Sequence, residues 1–348
     1  MPSPPRREGH SARPGHATVA EVAQEAGVSP MTVSRTLSGG KYVRPELQAR
    51  VLAAVKKLGY RRNENARSIR PGQASGLVGL IITNLTNPYY GQLAYGIEQV
   101  AAPLGRRILL GNSGESLERE ERLVEDFASR QVEGLIVVPA SNSTAHLEQL
   151  GRADIPLVLA SRAIAGFDAD TVLLNDVHGA YQATALAAAK GHREFAFLGS
   201  GASVSTVTRR LDGFTRALAD AGLTPNPAMV FRGAGDVASA ELAMNQLLAM
   251  PTPPTAIFAA NNRNATGALR AIGHHREGWS GEAVPTVIAF DDIELGYLLD
   301  IPLITLSHDP VELGTIAAQM LFSRIGGAGP QSPARRELPV ALKLTNWD

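Results

Sequence analysis

The chain has 348 residues, 44% of them hydrophobic, which is enough sequence for two or three domains with sizeable cores. It contains no cysteine, which excludes disulfides, thiolate metal sites and cysteine nucleophiles. The formal net charge is zero, but residues 1–70 carry 13 Lys and Arg against 5 Asp and Glu, a net of +8, and the remainder carries a net of −8. This division predicts a basic N-terminal unit that meets a polyanion, with a solvated basic tail as the alternative.

The first 16 residues are rich in Pro, Arg, Gly and Ser and are predicted to be a disordered arm. They lack the apolar core of a signal peptide. No apolar run in the chain approaches the roughly 20 residues needed to span a bilayer. We therefore expect a cytoplasmic protein with no membrane partner.

Residues 17–62 are predicted to form a helix-turn-helix unit. Thr18 and Glu21 have capping-box spacing for a first helix, and Gly27 supplies the turn that follows it. Ser29 is a candidate N-cap for a second helix, in which Pro30 would take the first position. The predicted helices cover residues 18–26, 30–37 and 45–58, the last ended by a glycine at 59.

The residues on the outward face of the second helix are not those expected of a face that only contacts solvent. Serine and threonine hydroxyls can bond phosphates or bases, arginine can make two bonds to guanine, and methionine can contact a thymine methyl. An ordinary α-hairpin is the alternative, but the basic charge of this unit favours a recognition helix. The face comprises Pro30, Met31, Thr32, Ser34 and Arg35.

Several short motifs occur here in a fixed order. They are Thr-Val-Ala-Glu-Val-Ala at 18–23, Ala-Gly-Val-Ser at 26–29, Thr-Val-Ser-Arg at 32–35 and Leu-Gly-Tyr at 58–60, followed by Asn63 and Ala66-Arg67. The series resembles the headpiece of lactose-repressor (LacI) type regulators, and the similarity extends over about residues 17–344. The resemblance implies a double-stranded DNA operator of palindromic sequence, bound by a homodimer or a dimer of dimers.

Residues 63–72 are predicted to be a hinge. The stretch is basic and helix-compatible, but an isolated helix of about eight residues is unstable in water, so it needs DNA or a partner to form. The resemblance implies that it folds on the operator, with Asn63 and Arg67 near the DNA. Ile69 occupies the position of the family's leucine wedge, which enters the minor groove and kinks the duplex. A plain linker is the alternative.

From residue 73 onward, apolar runs alternate with helical patterns, which indicates parallel sheets covered on both faces. Strands are predicted over 77–82, 107–110, 134–138, 157–160, 195–198, 256–259 and 286–290, with helices such as 90–104, 118–131, 179–190 and 209–221 between them. The predicted fold is an all-α helix-turn-helix headpiece plus an α/β core of two doubly wound lobes, similar to a periplasmic sugar-binding protein. The expected lobes are 74–173 with 307–332, and 174–306 with 333–348.

Polar residues just after predicted strands are candidates for a ligand site between the lobes. Tyr90 can stack on a sugar face or simply pack at a helix start. Ser161 and Arg162 follow a strand where the family commonly has Asp-Arg, so the serine puts ligand contact at that position in doubt. Arg210 matches the family's ligand-binding arginine before Gly-Phe, with a surface salt bridge as the alternative.

The later strands add further candidates. Asn261 can bond hydroxyls as donor and acceptor, and Asn262 replaces the aspartate that the family usually has. Asp291 matches the first carboxylate of the family's Asp-Asp pair and can accept hydrogen bonds from neighbouring hydroxyls. His308 stands where the family usually has glutamine, and it either contacts the ligand or joins the lobes.

The sequence contains no convincing catalytic or metal-binding constellation, so we predict no enzyme activity, no metal and no cofactor. The predicted function is a ligand-responsive transcriptional repressor that senses a sugar or sugar-like small molecule. A member of the same family that depends on a purine or other corepressor is the alternative. A solute-binding protein without DNA activity conflicts with the basic headpiece.

Overall fold

The computed structural model describes residues 17–37, 43–60, 75–201, 204–275 and 284–347. The chain divides into two compact units between Gln73 and Ala74, and each is described by itself below. The predicted arm and the predicted hinge, including Asn63, Arg67 and Ile69, lie outside the described residues.

The N-terminal unit contains helices α1 (Val19–Ala26), α2 (Pro30–Leu37) and α3 (Pro45–Lys57). The capping box at α1 is confirmed, because the Glu21 backbone N–H donates to Thr18 Oγ1 at 3.3 Å and the Thr18 N–H donates to Glu21 Oε2 at 2.6 Å. Gly27 follows with φ +63°, a left-handed conformation that glycine adopts without steric cost. The three predicted helices are therefore present, with the third ending one residue early.

A small apolar core holds these helices together. Its fully or nearly fully buried members come from all three helices, and short side chains allow the helix axes to approach closely. They are Val22, Ala23, Ala26, Val33, Val51 and Ala54.

The core unit contains two sheets of six strands each. The first has the order β11-β5-β4-β3-β1-β2, with every neighbouring pair parallel. Its strands are β1 (Leu77–Ile82), β2 (Arg107–Asn112), β3 (Leu135–Val137), β4 (Leu157–Ala160), β5 (Asp170–Leu174) and β11 (Arg335–Leu338). Its helices are α4 (Pro88–Ala101), α5 (Leu117–Ser129), α6 (Ala145–Arg152) and α11 (Pro310–Ile325), and a 3₁₀ turn, Ala102–Leu104, extends α4.

The second sheet has the order β12-β10-β9-β8-β6-β7 and is parallel except for the edge strand β12. Its strands are β6 (Phe195–Gly199), β7 (Val230–Arg232), β8 (Ala256–Ala259), β9 (Thr286–Phe290), β10 (Leu303–Ser307) and β12 (Ala341–Thr345). Its helices are α7 (Asp176–Ala189), α8 (Ser205–Asp220), α9 (Val237–Leu248) and α10 (Asn262–His275), with 3₁₀ turns at Pro227–Met229 and Gly296–Leu298.

The chain crosses between the lobes three times. The first two crossings, after β5 and after β10, lie close to the predicted positions near 173 and 307. The third lies between Leu338 and Ala341, so its prediction near 332 was wrong. The reason is β11, which pairs in parallel with β5 and keeps residues 335–338 in the first lobe before β12 enters the second sheet.

Close helix packing shapes the first lobe. A Cβ atom added to Gly96 of α4 would collide with the carbonyl oxygen of Val311, and one added to Gly314 of α11 would collide with that of Leu93. The two helices therefore touch backbone to backbone on the first sheet, where α11 contacts β3, β4 and β5 and α4 contacts β1 and β2. This packing anchors α4, whose first turn lies at the ligand cavity.

Candidate functional site

The outward face of α2 carries the residues predicted to read DNA. Met31 is 63% exposed and Arg35 is exposed, while Thr32 and Ser34 are half-buried on the flanks. The opposite face of the helix is buried through Val33 and Thr36. The apolar core therefore orients this helix so that the arginine and methionine face away from the headpiece interior.

Two hydroxyl residues in the predicted set shape the helix starts. Ser29 Oγ accepts the Thr32 backbone N–H at 3.2 Å and lies 2.9 Å from Thr32 Oγ1, so it caps α2 as predicted. The Thr18 side chain caps α1 in the same way. Both residues are exposed at helix N-termini, where backbone N–H groups favour phosphate.

A cavity of about 260 Å³ lies between the two lobes of the core, where the carboxyl ends of both sheets meet. This is the expected ligand position for open parallel sheets. Six of the seven predicted ligand residues line it. They are Tyr90, Ser161, Arg162, Arg210, Asn261 and Asp291.

An aromatic corner forms the wall contributed by α4. The rings of Tyr89 and Tyr90 meet edge to face with centroids 5.1 Å apart. Their hydroxyls are engaged, Tyr90 with Thr83 Oγ1 at 2.7 Å and Tyr89 with Ser161 Oγ at 2.5 Å. Burial raises the pKa of both phenols, so both remain neutral donors and acceptors at physiological pH.

Arg162 is fixed by Glu115, a residue that the sequence analysis did not identify. The guanidinium donates from Nη1 to Oε2 at 2.7 Å and from Nη2 to Oε1 at 2.8 Å, and Nη1 also bonds the Pro139 carbonyl at 3.0 Å. Burial opposes the charged form, but nearby Tyr90 and the hydrogen-bonded Glu115 outweigh it and raise the pKa of Arg162. Because Glu115 neutralises Arg162 locally, the pair presents a rigid polar surface rather than a free cation.

The loop after β3 is braced from behind by a buried carboxylate. Glu120 Oε2 accepts the Ala140 backbone N–H at 2.7 Å, and Glu120 Oε1 lies 2.8 Å from His146 Nε2. Glu120 is fully buried and Ala140 lines the cavity. Glu120 and His146 therefore hold part of the cavity wall in place without reaching the cavity themselves.

Arg210 is buried and held on three sides. Its Nε donates to Asp176 Oδ1 at 2.8 Å, its Nη1 donates to the Ala260 carbonyl at 2.5 Å, and its guanidinium lies 3.4 Å from the ring centroid of Phe290. Among the described residues Nη2 has no hydrogen-bond partner, so one edge of the fork is available to a ligand. The surface salt bridge considered as its alternative role does not fit, because both Arg210 and Asp176 are buried.

Asp291 lines the cavity from the second lobe and is anchored at both oxygens. Oδ1 is 2.8 Å from His308 Nε2, and Oδ2 accepts the Asn262 backbone N–H at 3.2 Å. Asn261 uses its carbonyl oxygen to accept the Asn264 N–H at 2.9 Å, which caps α10. Its amide nitrogen thereby remains available as a donor at the cavity wall.

Of the two roles considered for His308, the structure favours the one at the lobe crossing over ligand contact. Its ring stands behind Asp291, 2% exposed, and it does not line the interlobe cavity. Tyr89 contacts it edge to face with ring centroids 5.7 Å apart. His308 comes directly after β10, where the chain leaves the second sheet, so it orients Asp291 at a lobe crossing.

Three of the seven non-glycine residues that have a left-handed φ within the described parts of the chain line the cavity. Glu115, Ser161 and Asp291 all have left-handed φ values, of +63°, +63° and +79°. Each follows a β-strand and each lines the cavity. Such conformations are uncommon for residues other than glycine and cluster at functional sites, which marks the cavity as the working part of the core.

Sequence reasoning missed several lining residues. Glu115, Ser200 and Arg263 follow β2, β6 and β8, so the strand-end rule that found Asp291 also applies to them. They were missed because no motif distinguishes them from ordinary loop residues. Asn84, Asn87, Thr206 and Tyr89 complete the missed polar lining.

Together, the helical unit with an exposed arginine-bearing helix and the two-lobed core with a cavity define a DNA-binding regulator that carries a small-molecule sensor. Residues 18–63 match the model of the bacterial regulatory proteins of the lacI family, and residues 75–345 match that of the periplasmic binding proteins and sugar binding domain of the LacI family. The chain belongs to the LacI family of transcriptional regulators.

Individual relatives cover nearly the whole chain. The HTH-type transcriptional repressor PurR of Histophilus somni is 30% identical over 90% of this chain and 94% of its own. The HTH-type transcriptional regulator GalS of Salmonella typhimurium is 30% identical over 90% of both chains. The predicted family and fold are confirmed.

Solved structures agree with these relatives. The lac repressor dimer bound to operator and the anti-inducer ONPF is 25% identical, with a TM-score of 0.80 over 96% of this chain and 100% of that one. The regulator CelR in complex with cellobiose is 26% identical, with a TM-score of 0.69 over 94% of this chain and 98% of that one. No helix within the described residues is long and apolar enough to cross a membrane.

Proposed function

We propose that this regulator is a ligand-responsive transcriptional repressor that binds a sugar or sugar-like effector in the interlobe cavity. The observation that carries the proposal is the composition of the cavity wall. Nine of the 19 lining residues are Asn, Ser, Arg or Asp, and the aromatic rings Tyr89 and Tyr90 lie together on one wall. A hydroxyl-rich ligand can stack on that wall and bond the rest.

The same arrangement argues against the purine alternative. A flat base would be held best between two aromatic walls. Across the described lining of the cavity, the aromatic side chains are both on α4, and the second lobe contributes the aliphatic residues Val204 and Val207. Phe290 cannot serve as a second wall because the Arg210 guanidinium covers its ring.

Calorimetric titration of the full-length protein tests the effector class. We expect measurable heat from at least one member of a panel of pentoses, hexoses, disaccharides and polyols, and none from hypoxanthine or guanine. A purine that binds while every sugar fails would replace this proposal with the corepressor alternative.

For DNA, we propose that two copies of α2 enter successive major grooves of a palindromic operator, with the chain acting as a homodimer or a dimer of dimers. Exposure of Met31 and Arg35 on the face opposite the headpiece core supports this role. Thr18, Ser29, Pro30, Thr32 and Ser34 would support the contact to phosphates and bases. Asn63, Arg67 and Ile69 would act at the minor groove.

Selection of genomic fragments by the purified protein tests the DNA proposal. We expect enrichment of a palindrome with half-sites about one helical turn or slightly more apart. A palindrome beside genes for sugar uptake or breakdown would support the effector class as well. Retention of DNA without any shared sequence, at low salt and with or without sugars, would contradict the operator proposal.

A further inference from the structure

Two asparagine side chains join the lobes beside the interlobe cavity. Asn87 caps α4 in the first lobe, and Asn262 begins α10 in the second. Asn262 Nδ2 donates to Asn87 Oδ1 at 2.8 Å, and Asn87 Nδ2 donates to Asn262 Oδ1 at 3.2 Å. The two amides therefore form a reciprocal pair of hydrogen bonds across the boundary between the lobes.

The orientation of this pair is set by neighbouring backbone. Asn87 Oδ1 also accepts the Tyr89 N–H at 3.0 Å, which fixes the Asn87 amide with its nitrogen towards Asn262. The Asn262 backbone N–H bonds Asp291, so the pair is directly attached to a residue of the proposed ligand site. Asn87 lines both the interlobe cavity and a larger neighbouring cavity, so the pair lies at the partition between the two.

The chemistry of the pair requires an amide on both sides. An aspartate at 262 could accept from Asn87 Nδ2, but it could not donate to Asn87 Oδ1, and its charge would lie beside Asp291. Asn262 is one of the positions at which this chain departs from the Asn-Asp pattern of similar regulators. The reciprocal bond to Asn87 gives that departure a physical reason.

We propose that Asn87 and Asn262 form a latch that holds the two lobes in the arrangement described here and closes one side of the effector cavity. The latch needs no ligand, so it biases the lobe equilibrium of the free protein. The latch opposes an effector that favours a different lobe angle and assists one that favours this angle. A ligand shifts an equilibrium only by its differential affinity for the two states. This inference is independent of the class of effector.

Hydrogen exchange of the full-length protein, followed by mass spectrometry, tests the latch without any ligand. Asn262→Ala is the cleanest variant, because the Asn262 side chain makes no other hydrogen bond within the described residues. The backbone bonds of Asn262 to Asp291 and Thr266 remain. We expect exchange to accelerate on the order of tenfold in residues 84–92 of the opposite lobe, as lost hydrogen bonds of this kind imply.

Asn84→Ala is the matched control. Asn84 lines the same cavity, but its side chain bonds only Thr86 in its own loop. We expect this variant to leave exchange in residues 259–266 of the second lobe unchanged. Acceleration there equal to that of a latch variant would overturn the proposal, since it would reflect general loosening of the cavity.

Asn87→Asp provides a second, reciprocal test. The aspartate still accepts the Tyr89 N–H and so preserves the helix cap, but it loses the donor to Asn262. The aspartate keeps the bond from Asn262 Nδ2, but it turns an anionic oxygen towards Asn262 Oδ1. We therefore expect faster exchange in residues 259–266 of the second lobe, and we expect the double variant with Asn262→Ala to show less than the sum of the two single effects. Unchanged exchange in the opposite lobe for both single variants, or additive effects in the double variant, would refute the latch.

Discussion

At the scale of single residues, the cavity is built from charges whose positions are fixed before any ligand arrives. Arg210 is held by Asp176, a backbone carbonyl and the face of Phe290, and Arg162 is held by both oxygens of Glu115. A fixed guanidinium loses less conformational entropy on binding than a free one. The cavity can therefore discriminate hydroxyl positions by geometry.

Asp291→Asn should weaken effector binding by about 10- to 100-fold, because hydrogen bonds to a charged acceptor contribute about 1.5–3 kcal/mol. Asparagine keeps the volume and tolerates the left-handed backbone at φ +79°. Calorimetry with the effector found in the sugar panel measures the loss, and operator binding without effector should be unchanged. Asp292→Asn is the control, because Asp292 bonds Ser307 and Lys343 outside the cavity. If both variants weaken effector binding equally, the role of Asp291 is contradicted.

Arg35→Ala should cost about 1–3 kcal/mol of discrimination at a single base pair of the operator. Competition binding with single-site operator variants measures this cost. Arg44→Ala provides a contrast, because the exposed Arg44 at the start of α3 should weaken binding to all sequences alike. If Arg35→Ala lowers affinity equally for every operator variant, Arg35 contacts phosphate and does not read a base.

At the scale of elements, the two edge strands at the C-terminal end that the sequence missed differ in composition from the strands that it predicted. All seven predicted strands are present with bounds within two residues, because continuous apolar runs are typical of strands buried on both faces. The five missed strands include β11, with the sequence Arg-Arg-Glu-Leu, and β12, whose residues are mostly exposed. Edge strands such as these have little apolar periodicity, so only pairing with a neighbour identifies them.

An ion pair secures the last segment of the first lobe. Arg324 of α11 donates to Asp170 from Nε at 2.6 Å and from Nη2 at 2.8 Å, and the Ala334 N–H donates to Asp170 Oδ1 at 2.7 Å just before β11. Burial alone would raise the pKa of Asp170, but these hydrogen bonds outweigh it and lower the pKa below its ordinary value. The ionised carboxylate therefore stabilises the docking of β11.

Asp170→Asn should lower the free energy of unfolding by about 1–3 kcal/mol at neutral pH. Because the pKa of Asp170 is lower in the folded chain, its contribution is fully present above the unfolded value of about 3.9 and is lost as the pH falls through the folded value. Denaturant unfolding from pH 7 to pH 3 measures the free energy of unfolding of both proteins. The difference between Asp170→Asn and the unchanged protein should shrink below about pH 4. The exposed Asp168→Asn is the control, and a difference that stays constant with pH would argue against the ion pair.

At the scale of the whole molecule, the basic and acidic halves of the chain coincide with two compact units. Residues 1–73 contain the basic excess, and residues 74–348 contain both lobes and the cavity. Three crossings join the two lobes, and the proposed latch of Asn87 and Asn262 acts on the equilibrium between lobe arrangements.

Removal of residues 1–73 should leave effector binding within about twofold of the full chain, because every lining residue of the cavity belongs to the core unit. Sequence-specific DNA binding should be lost completely. Calorimetry and operator binding measured on the same preparation check both outcomes. Operator binding that survives the truncation would show that the headpiece is not the DNA-reading unit.

The sequence by itself determined the family, the helix-turn-helix caps and six of the residues that line the cavity, because these depend on local patterns. A capping box, a turn glycine and a polar residue after an apolar strand can each be identified from a few neighbouring residues. Only the tertiary structure decided which side chains face each other across the lobes. These contacts join residues that are far apart in the chain, so no local sequence pattern predicts them. They are Glu115 with Arg162, His308 with Asp291, and Asn87 with Asn262.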